Sequence, residues 1–197
     1  MKGTSIVVAL GVGFLAVCPT VGATTYAIDQ EHTTASFKVR HVFTQVQGWF
    51  KEVKGSFVYE PEKPEQWMAQ ATIQATSIDT RVPERDNHLR SKDFFDVARF
   101  PTITFTSTEV VALTPETAKL SGLLTIHGIE KPVTLDLEIH GVGKDPWGNV
   151  RAGFTATTTI NRKDFGLIWN EALETGQVLV GEEVGIVLEV EGIAQQG

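Results

Sequence analysis

Cysteine is almost absent from this chain, because Cys18 is the only one among 197 residues. It lies in an N-terminal segment that has Lys2 as a positive end, an apolar run over residues 6–17 and small residues at 21–23, the pattern of a secretory signal. The apolar run is too short for a good membrane span. We therefore expect residues 1–23 to be a cleaved signal peptide and residues 24–197 to be one mature domain. Such a domain has no disulfide, no cysteine nucleophile and no cysteine metal site. An exported protein that is stable without disulfides is expected to reside in the periplasm.

Basic residues are also few. The chain has 17 Lys and Arg against 24 Asp and Glu, a net charge of -7 and a pI near 5.2. Nucleic acids and anionic membrane surfaces are bound through clustered basic side chains. The composition therefore argues against nucleic acid as a partner and against an electrostatic hold on acidic lipids.

Familiar catalytic and cofactor motifs are missing from the sequence. It contains no Gly-rich phosphate loop, no Gly-x-Ser-x-Gly elbow and no pair of histidines spaced for a helical metal site. The five histidines are His32, His41, His88, His127 and His140. They are scattered, and a histidine metal site would need three of them to converge. We expect neither a metal nor a cofactor.

Long helical windows are missing as well, which excludes a parallel α/β sheet. Apolar and polar residues instead alternate with a period of two, as at Val133, Leu135 and Leu137. About eight such strands are separated by turn signals. The sequence therefore predicts an all-β fold with a minor α component, either an antiparallel barrel or a sandwich. An eight-stranded barrel can enclose one small ligand.

Residues 85–96 interrupt this alternation. Pro83 suits the first turn of a helix, and Leu89, Phe94 and Phe95 are large apolar side chains among many charged ones. The pattern predicts one short helical plug that closes an end of the β structure. The same plug would serve as a lid if the barrel encloses a ligand.

A second irregular segment follows residue 161. Residues 162–166 (RKDFG) predict a turn fixed by an ion pair, with Phe165 anchored in the core. Gly166 would supply a backbone angle that other residues rarely adopt.

Several short motifs extend through nearly the whole chain after residue 23. They are Asp79-Thr80, Asp86, His88-Leu89, Asp93-Phe94-Phe95-Asp96, residues 101–105 (PTITF), 26–29 (YAID) with His32, 37–41 (FKVRH), Gly48 with Phe50, 122–128 (GLLTIHG) and 160–166 (INRKDFG). In their order and spacing they resemble the YceI-like polyisoprenoid-binding proteins. The resemblance implies an extended lipocalin-like antiparallel barrel with one helix, which encloses the chain of an isoprenoid lipid.

Large apolar side chains at inward-reading positions are the candidate ligand contacts. The set is Phe37, Val39, His41, Phe50, Phe57, Ile73, Leu89, Phe94, Phe95, Phe105, Leu124, Ile126, Phe154 and Trp169. In a filled barrel these residues would form the core, and in a lipocalin-like barrel they would line a tunnel. The resemblance favours the tunnel. Leu89, Phe94 and Phe95 would then close over the lipid.

The functional prediction is periplasmic binding, storage or transport of a long-chain isoprenoid lipid, such as a polyprenol or a quinone tail, without catalysis. A homodimer and a transient contact with a membrane or a membrane protein are further expectations. Two rival functions stay open. One is a hydrolase or isomerase that uses Asp86, His88 and Asp93 as a catalytic cluster. The other is a non-catalytic partner of a membrane electron-transfer complex.

Overall fold

Antiparallel strands form the body of the molecule in the computed structural model, which describes residues 23–172 and 178–195. The strands are β1 (Thr24–Ile28), β2 (Thr34–His41), β3 (Thr44–Phe50), β4 (Val53–Tyr59), β5 (Met68–Gln74), β6 (Ile78–Asp79), β7 (Thr102–Thr114), β8 (Thr117–Ile126), β9 (Ile129–Lys144), β10 (Val150–Asn161) and β11 (Val180–Ala194). The helix α1 spans Pro83–Arg90, and short 3₁₀ turns lie at Pro64–Gln66, Ala75–Ser77 and Arg162–Phe165. The predicted signal segment lies outside the described residues, apart from its last position.

Eight of these strands close into a barrel in the order β1-β4-β5-β7-β8-β9-β10-β11, because β1 pairs with both β4 and β11. The other three strands extend the sheet from the first half of β11, in the order β2-β3-β6. The prediction of an all-β antiparallel barrel with one short helix is therefore confirmed. Within the described ranges, the structure has no helix that is both long enough and apolar enough to cross a membrane.

Alternation along each strand decides which side chains point into the barrel. In β8, the buried residues are Ala118, Leu120, Gly122, Leu124 and Ile126, and every residue between them is less buried. A period of two places all five on the inner face of the sheet. A two-residue turn then connects β8 to β9. Its backbone has positive φ at both positions, which matches the twist of the flanking strands and favours glycine at residue 128.

One end of the barrel is filled by aromatic side chains, which we call the basal aromatic cluster. Its members are Tyr26, Phe57, Tyr59, Trp67 and Phe154. The rings meet one another at centroid distances of 4.8 to 5.1 Å, either stacked, tilted or edge to face. Such pairs add to the stabilisation that burial of the rings provides. Burial also raises the pKa of the Tyr26 and Tyr59 hydroxyls.

Arg151 on β10 forms ion pairs with residues of two connecting turns and of β11. Arg151 donates hydrogen bonds to Asp145 Oδ2 (2.8 Å), to Asp29 Oδ2 (2.7 Å) and to Glu191. It thereby links the β1–β2 turn, the β9–β10 turn and β11. The Arg151 guanidinium lowers the pKa of Asp29 to about 2, and it holds the pKa of Asp145 below its ordinary value.

Helix α1 lies at the opposite end of the barrel and begins at Pro83, as the sequence predicts. Asp86 fixes the segment that leads into the helix, because its carboxylate accepts hydrogen bonds from the Thr80 amide (2.8 Å) and hydroxyl (2.6 Å). Arg90 holds the last turn by donating to the carbonyls of Thr76 (2.8 Å) and Ile78 (2.6 Å). Residues 92–99 continue in turns after the helix. The predicted plug is therefore a short helix followed by turns, anchored to the strands beneath it.

Candidate ligand-binding cavity

The end of the barrel under α1 encloses a cavity of about 520 Å³, which we call the main cavity. Its walls come from β2, β3, β5 and β7–β11, from α1 and the turns after it, and from the segment around Trp169. Most wall residues are aliphatic or aromatic. Small-molecule sites in proteins typically measure about 300–1,000 Å³ and are mostly apolar. The main cavity therefore has the size and lining of a site for an apolar ligand.

Most of the candidate contacts lie in this wall, whereas Phe57 and Phe154 do not. The candidates that line the main cavity are Phe37, Val39, His41, Phe50, Ile73, Leu89, Phe94, Phe95, Phe105, Leu124, Ile126 and Trp169. Phe57 and Phe154 belong to the basal aromatic cluster and line a second, smaller cavity of about 100 Å³. The barrel is therefore hollow at one end and filled at the other.

Aliphatic residues of three strands also line the main cavity, although they were not among the candidate contacts. They are Val133 and Leu135 of β9, Ile160 of β10, and Val184, Ile186 and Leu188 of β11. The available signal was the alternation in these strands. Selecting large aromatic side chains first left these positions out, yet a branched aliphatic side chain covers a cavity wall as well as an aromatic one.

The plug covers the cavity with packed rings. The His88 imidazole meets the Trp169 ring at 4.8 Å and the Phe94 ring at 5.1 Å, each edge to face. Phe94 and Trp169 also pack together at 5.1 Å. On the other side, Phe95 meets Phe50 edge to face at 5.7 Å. These contacts join residues of the plug to β3 and to the segment after β10, so they hold the plug over the cavity.

The three residues of the suggested catalytic cluster do not act as one unit in this structure. His88 Nε2 lies 3.2 Å from Asp93 Oδ2, so these two residues form a pair at the cavity mouth. Asp86 is buried and directs its carboxylate to Thr80, which Arg85 also contacts. Asp86 therefore has a structural role in positioning the plug. The fold does not bring it into hydrogen-bonding contact with His88 or Asp93.

Arg162 is buried in the wall of the main cavity. It donates to the carbonyls of Gly181 (2.8 Å), Trp169 (2.9 Å) and Leu167. Burial lowers the pKa of the guanidinium. The predicted ion pair is present, because Lys163 of this turn pairs with Glu182 of β11. Arg162 takes no part in it, since backbone carbonyls satisfy the arginine and hold the segment before β11. The rest of that prediction is confirmed, since Phe165 is buried and Gly166 has φ of 75°.

Polar side chains are few in the wall, and several lie toward α1. Glu84 and Arg85 belong to the helix, and His41 ends β2. Within the described part of the chain, the His41 side chain has no hydrogen-bond partner. Arg85 uses Nε and one terminal nitrogen to bind Thr80. Donors therefore remain at the plug end of an otherwise apolar cavity.

One group of side chains could converge on a metal ion, and it lies outside the main cavity. Ligand atoms of Asp29, His32 and Glu191 all lie within 4.8 Å of one another. Arg151 already donates hydrogen bonds to both carboxylates, and His32 Nδ1 lies 2.8 Å from Asp29. The arginine supplies the positive charge that the acidic groups need. A cation would have to displace it, so these residues fit an ion-pair network better than a metal site.

The fold and the cavity together define a closed antiparallel barrel with an apolar interior and a helical lid. The family model of the YceI-like domain matches residues 26–192 of the sequence, and the chain belongs to this family. A UPF0312 protein of Pseudomonas paraeruginosa is 38% identical over 198 residues, which cover 99% of this chain and 100% of the relative.

Solved structures share the fold. The crystal structure of Burkholderia cenocepacia BcnA superimposes with a TM-score of 0.74 at 24% identity, covering 83% of this chain and 98% of that one. A polyisoprenoid-binding domain of Saccharophagus degradans, implicated in plant cell wall breakdown, superimposes with a TM-score of 0.65 at 16% identity. That match covers 86% of this chain and 98% of the domain. At these identities the likeness shows the fold alone.

Proposed function

We infer that the protein binds an isoprenoid lipid non-covalently, with the prenyl chain in the main cavity and the polar head toward α1. The observation that carries this proposal is the apolar cavity of about 520 Å³ under the plug. Membership of the YceI-like family supports it, and so does the polyisoprenoid-binding activity named for a domain with the same fold. No wall residue needs to perform covalent chemistry in this function.

The orientation of the ligand follows from the distribution of polar groups. The far end of the main cavity is bounded by Phe105, Leu135 and Leu188, which offer no side-chain hydrogen bonds. Arg85 and His88 line the cavity from α1 itself. A buried polar head without a partner would lose its hydrogen bonds to water, so it belongs at the end that provides donors.

Energetics favour a carrier or a store over an irreversible trap. Each buried methylene gains about 0.8 kcal/mol on leaving water. Summed over a long prenyl chain, that gain would exceed the practical ceiling on affinity of roughly 20 kcal/mol. A lipid that leaves a membrane is already shielded from water, so its transfer into the barrel is nearly neutral. The protein can therefore take up such a lipid and release it again.

A periplasmic location is part of this proposal. The signal-like pattern of residues 1–23 and the single cysteine support it. In that compartment, the barrel would carry or store prenyl lipids between or beside membranes. Fractionation of cells that express the full chain tests the location directly.

The decisive experiment is lipid extraction. Protein is purified from the periplasmic fraction without detergent, extracted with organic solvent and analysed by mass spectrometry. We expect one prenyl lipid per protein at near-stoichiometric yield. The Val184→Phe variant, which places a ring in the main cavity, should lose this lipid. The Val111→Phe variant makes the same change at an exposed site and should retain it. Wild-type protein that carries no prenyl lipid and takes none up from vesicles would refute the proposal.

A further inference from the structure

A thin layer of side chains separates the main cavity from the second cavity. Four residues line both spaces, and they are Ala71, Phe105, Leu135 and Leu188. Phe105 and Ala71 are register partners on β7 and β5, Leu135 lies on β9 and Leu188 on β11. Because one strand lies between β7 and β9 and another between β9 and β11, this layer reaches around the barrel wall.

Phe105 is the largest member of the layer, and its position depends on a glycine. The inner face of β8 has no side chain at Gly122, and the Phe105 ring occupies that space. A Cβ atom added to Gly122 would lie only 2.5 Å from the ring. The glycine lets the aromatic ring lie against the backbone of β8, at a position where the ring lines both cavities.

The second cavity adjoins the main cavity at this layer. Its volume is about 100 Å³, and four rings of the basal aromatic cluster form part of its wall. Those rings are packed edge to face or tilted against one another, so they fill much of this end of the barrel. A ligand chain that passed Phe105 would gain the space of the second cavity.

We propose that Phe105 sets the maximum chain length of the ligand, because it closes the main cavity against the second one. This inference rests on the proposed function, since it concerns how far a prenyl chain enters the barrel. Chains that reach the Phe105 layer fill the main cavity. Longer chains have to fold back or leave their ends outside. Phe105 is thus a specificity-determining residue whose loss would join the two cavities into one longer space.

The test is a competition among chain lengths. Delipidated protein is equilibrated with phospholipid vesicles that carry equal amounts of all-trans prenyl alcohols, each one isoprene unit longer than the last. The vesicles are removed, and the bound alcohols are quantified by mass spectrometry. Wild-type protein should show a limiting length above which binding falls steeply. F105A should raise this limit by at least one unit.

The size of the effect follows from the fit of chains in apolar pockets. One methylene more or less changes discrimination by about 10- to 200-fold. For each variant, we divide the bound amount of the first alcohol that the wild type excludes by the bound amount of the longest alcohol that it accepts. This ratio should be at least about tenfold higher in F105A than in the wild type. F105L provides a milder opening if F105A folds poorly, and circular dichroism with thermal melting checks that both variants fold.

The matched control is F100A. Phe100 lines neither cavity, so this variant removes the same ring without changing either space. Its limiting length should equal that of the wild type. The proposal is overturned if folded F105A and F105L keep the wild-type limit, or if F100A moves the limit as far as F105A does. If the wild type binds none of the alcohols, the proposed function fails together with this inference. If it binds them and only the limit fails to move, the proposed function stands.

Discussion

A hollow barrel should tolerate a larger side chain where a filled barrel would not, and Val184 offers the sharpest test. It lies on β11, pairs with Val39 and Ile160, and lines the main cavity. In the Val184→Phe variant, the added ring can extend into about 520 Å³ of space without displacing neighbours. Val53 is the matched control, because it is buried at 5% exposure and lines neither cavity.

The expected magnitudes follow from packing. Adding methylene-sized volume to a well-packed core typically costs about 1–3 kcal/mol. We therefore expect Val53→Phe to lower the free energy of unfolding by about 2–3 kcal/mol, and Val184→Phe to lower it by less than about 1 kcal/mol. A difference of about 2 kcal/mol corresponds to roughly 4–8 °C in melting temperature for a domain of this size.

The assay is urea unfolding of delipidated protein, because bound lipid would stabilise the wild type selectively. Lipid uptake from vesicles is measured on the same samples. Val184→Phe should unfold close to the wild-type midpoint and take up little lipid, whereas Val53→Phe should unfold earlier and, where folded, still bind. Equal destabilisation by both substitutions would show that the space at Val184 is packed in solution, and the argument from the cavity would fail.

Three further predictions concern the residues that hold the ends of the barrel. Asp86→Ala leaves the buried amide and hydroxyl of Thr80 without their acceptor, so urea unfolding should show a loss of about 1–3 kcal/mol, and Asp86→Asn should restore part of it. Arg151→Met removes the shared donor of three carboxylates and should lower the melting temperature; an unchanged melting temperature would show that the network contributes nothing. The pKa of Asp29 lies at about 2 in the folded chain, below its ordinary value of 3.8. Its stabilising contribution is therefore present above about pH 4 and is lost as the pH falls toward 2. Unfolding midpoints across this range should fall more steeply for the wild type than for Arg151→Met, and parallel curves would contradict this assignment.

Local patterns in the sequence were sufficient to predict the main strands and the start of the helix. Alternation in β8 and β9 places their side chains correctly on the inner or outer face, because a strand turns its residues by half a rotation at each step. Pro83 marks the start of α1 for an equally local reason, since proline fixes its own φ and needs no hydrogen-bond acceptor in the first turn.

Which inward residues line the cavity depends on contacts between parts of the chain that are distant in sequence. Phe57 and Phe105 both lie on alternating strands and point inward, yet Phe57 packs in the basal aromatic cluster while Phe105 lines the main cavity. Alternation indicates which face of the sheet a residue lies on. It carries no information about how far along the barrel the residue lies or about which residues face it across the interior. Those relations are set by barrel closure between β1 and β11 and by the strands β2, β3 and β6 that extend the sheet. Arg162 shows the same limit, because the carbonyls of Trp169 and Gly181 become its neighbours only after the chain has folded.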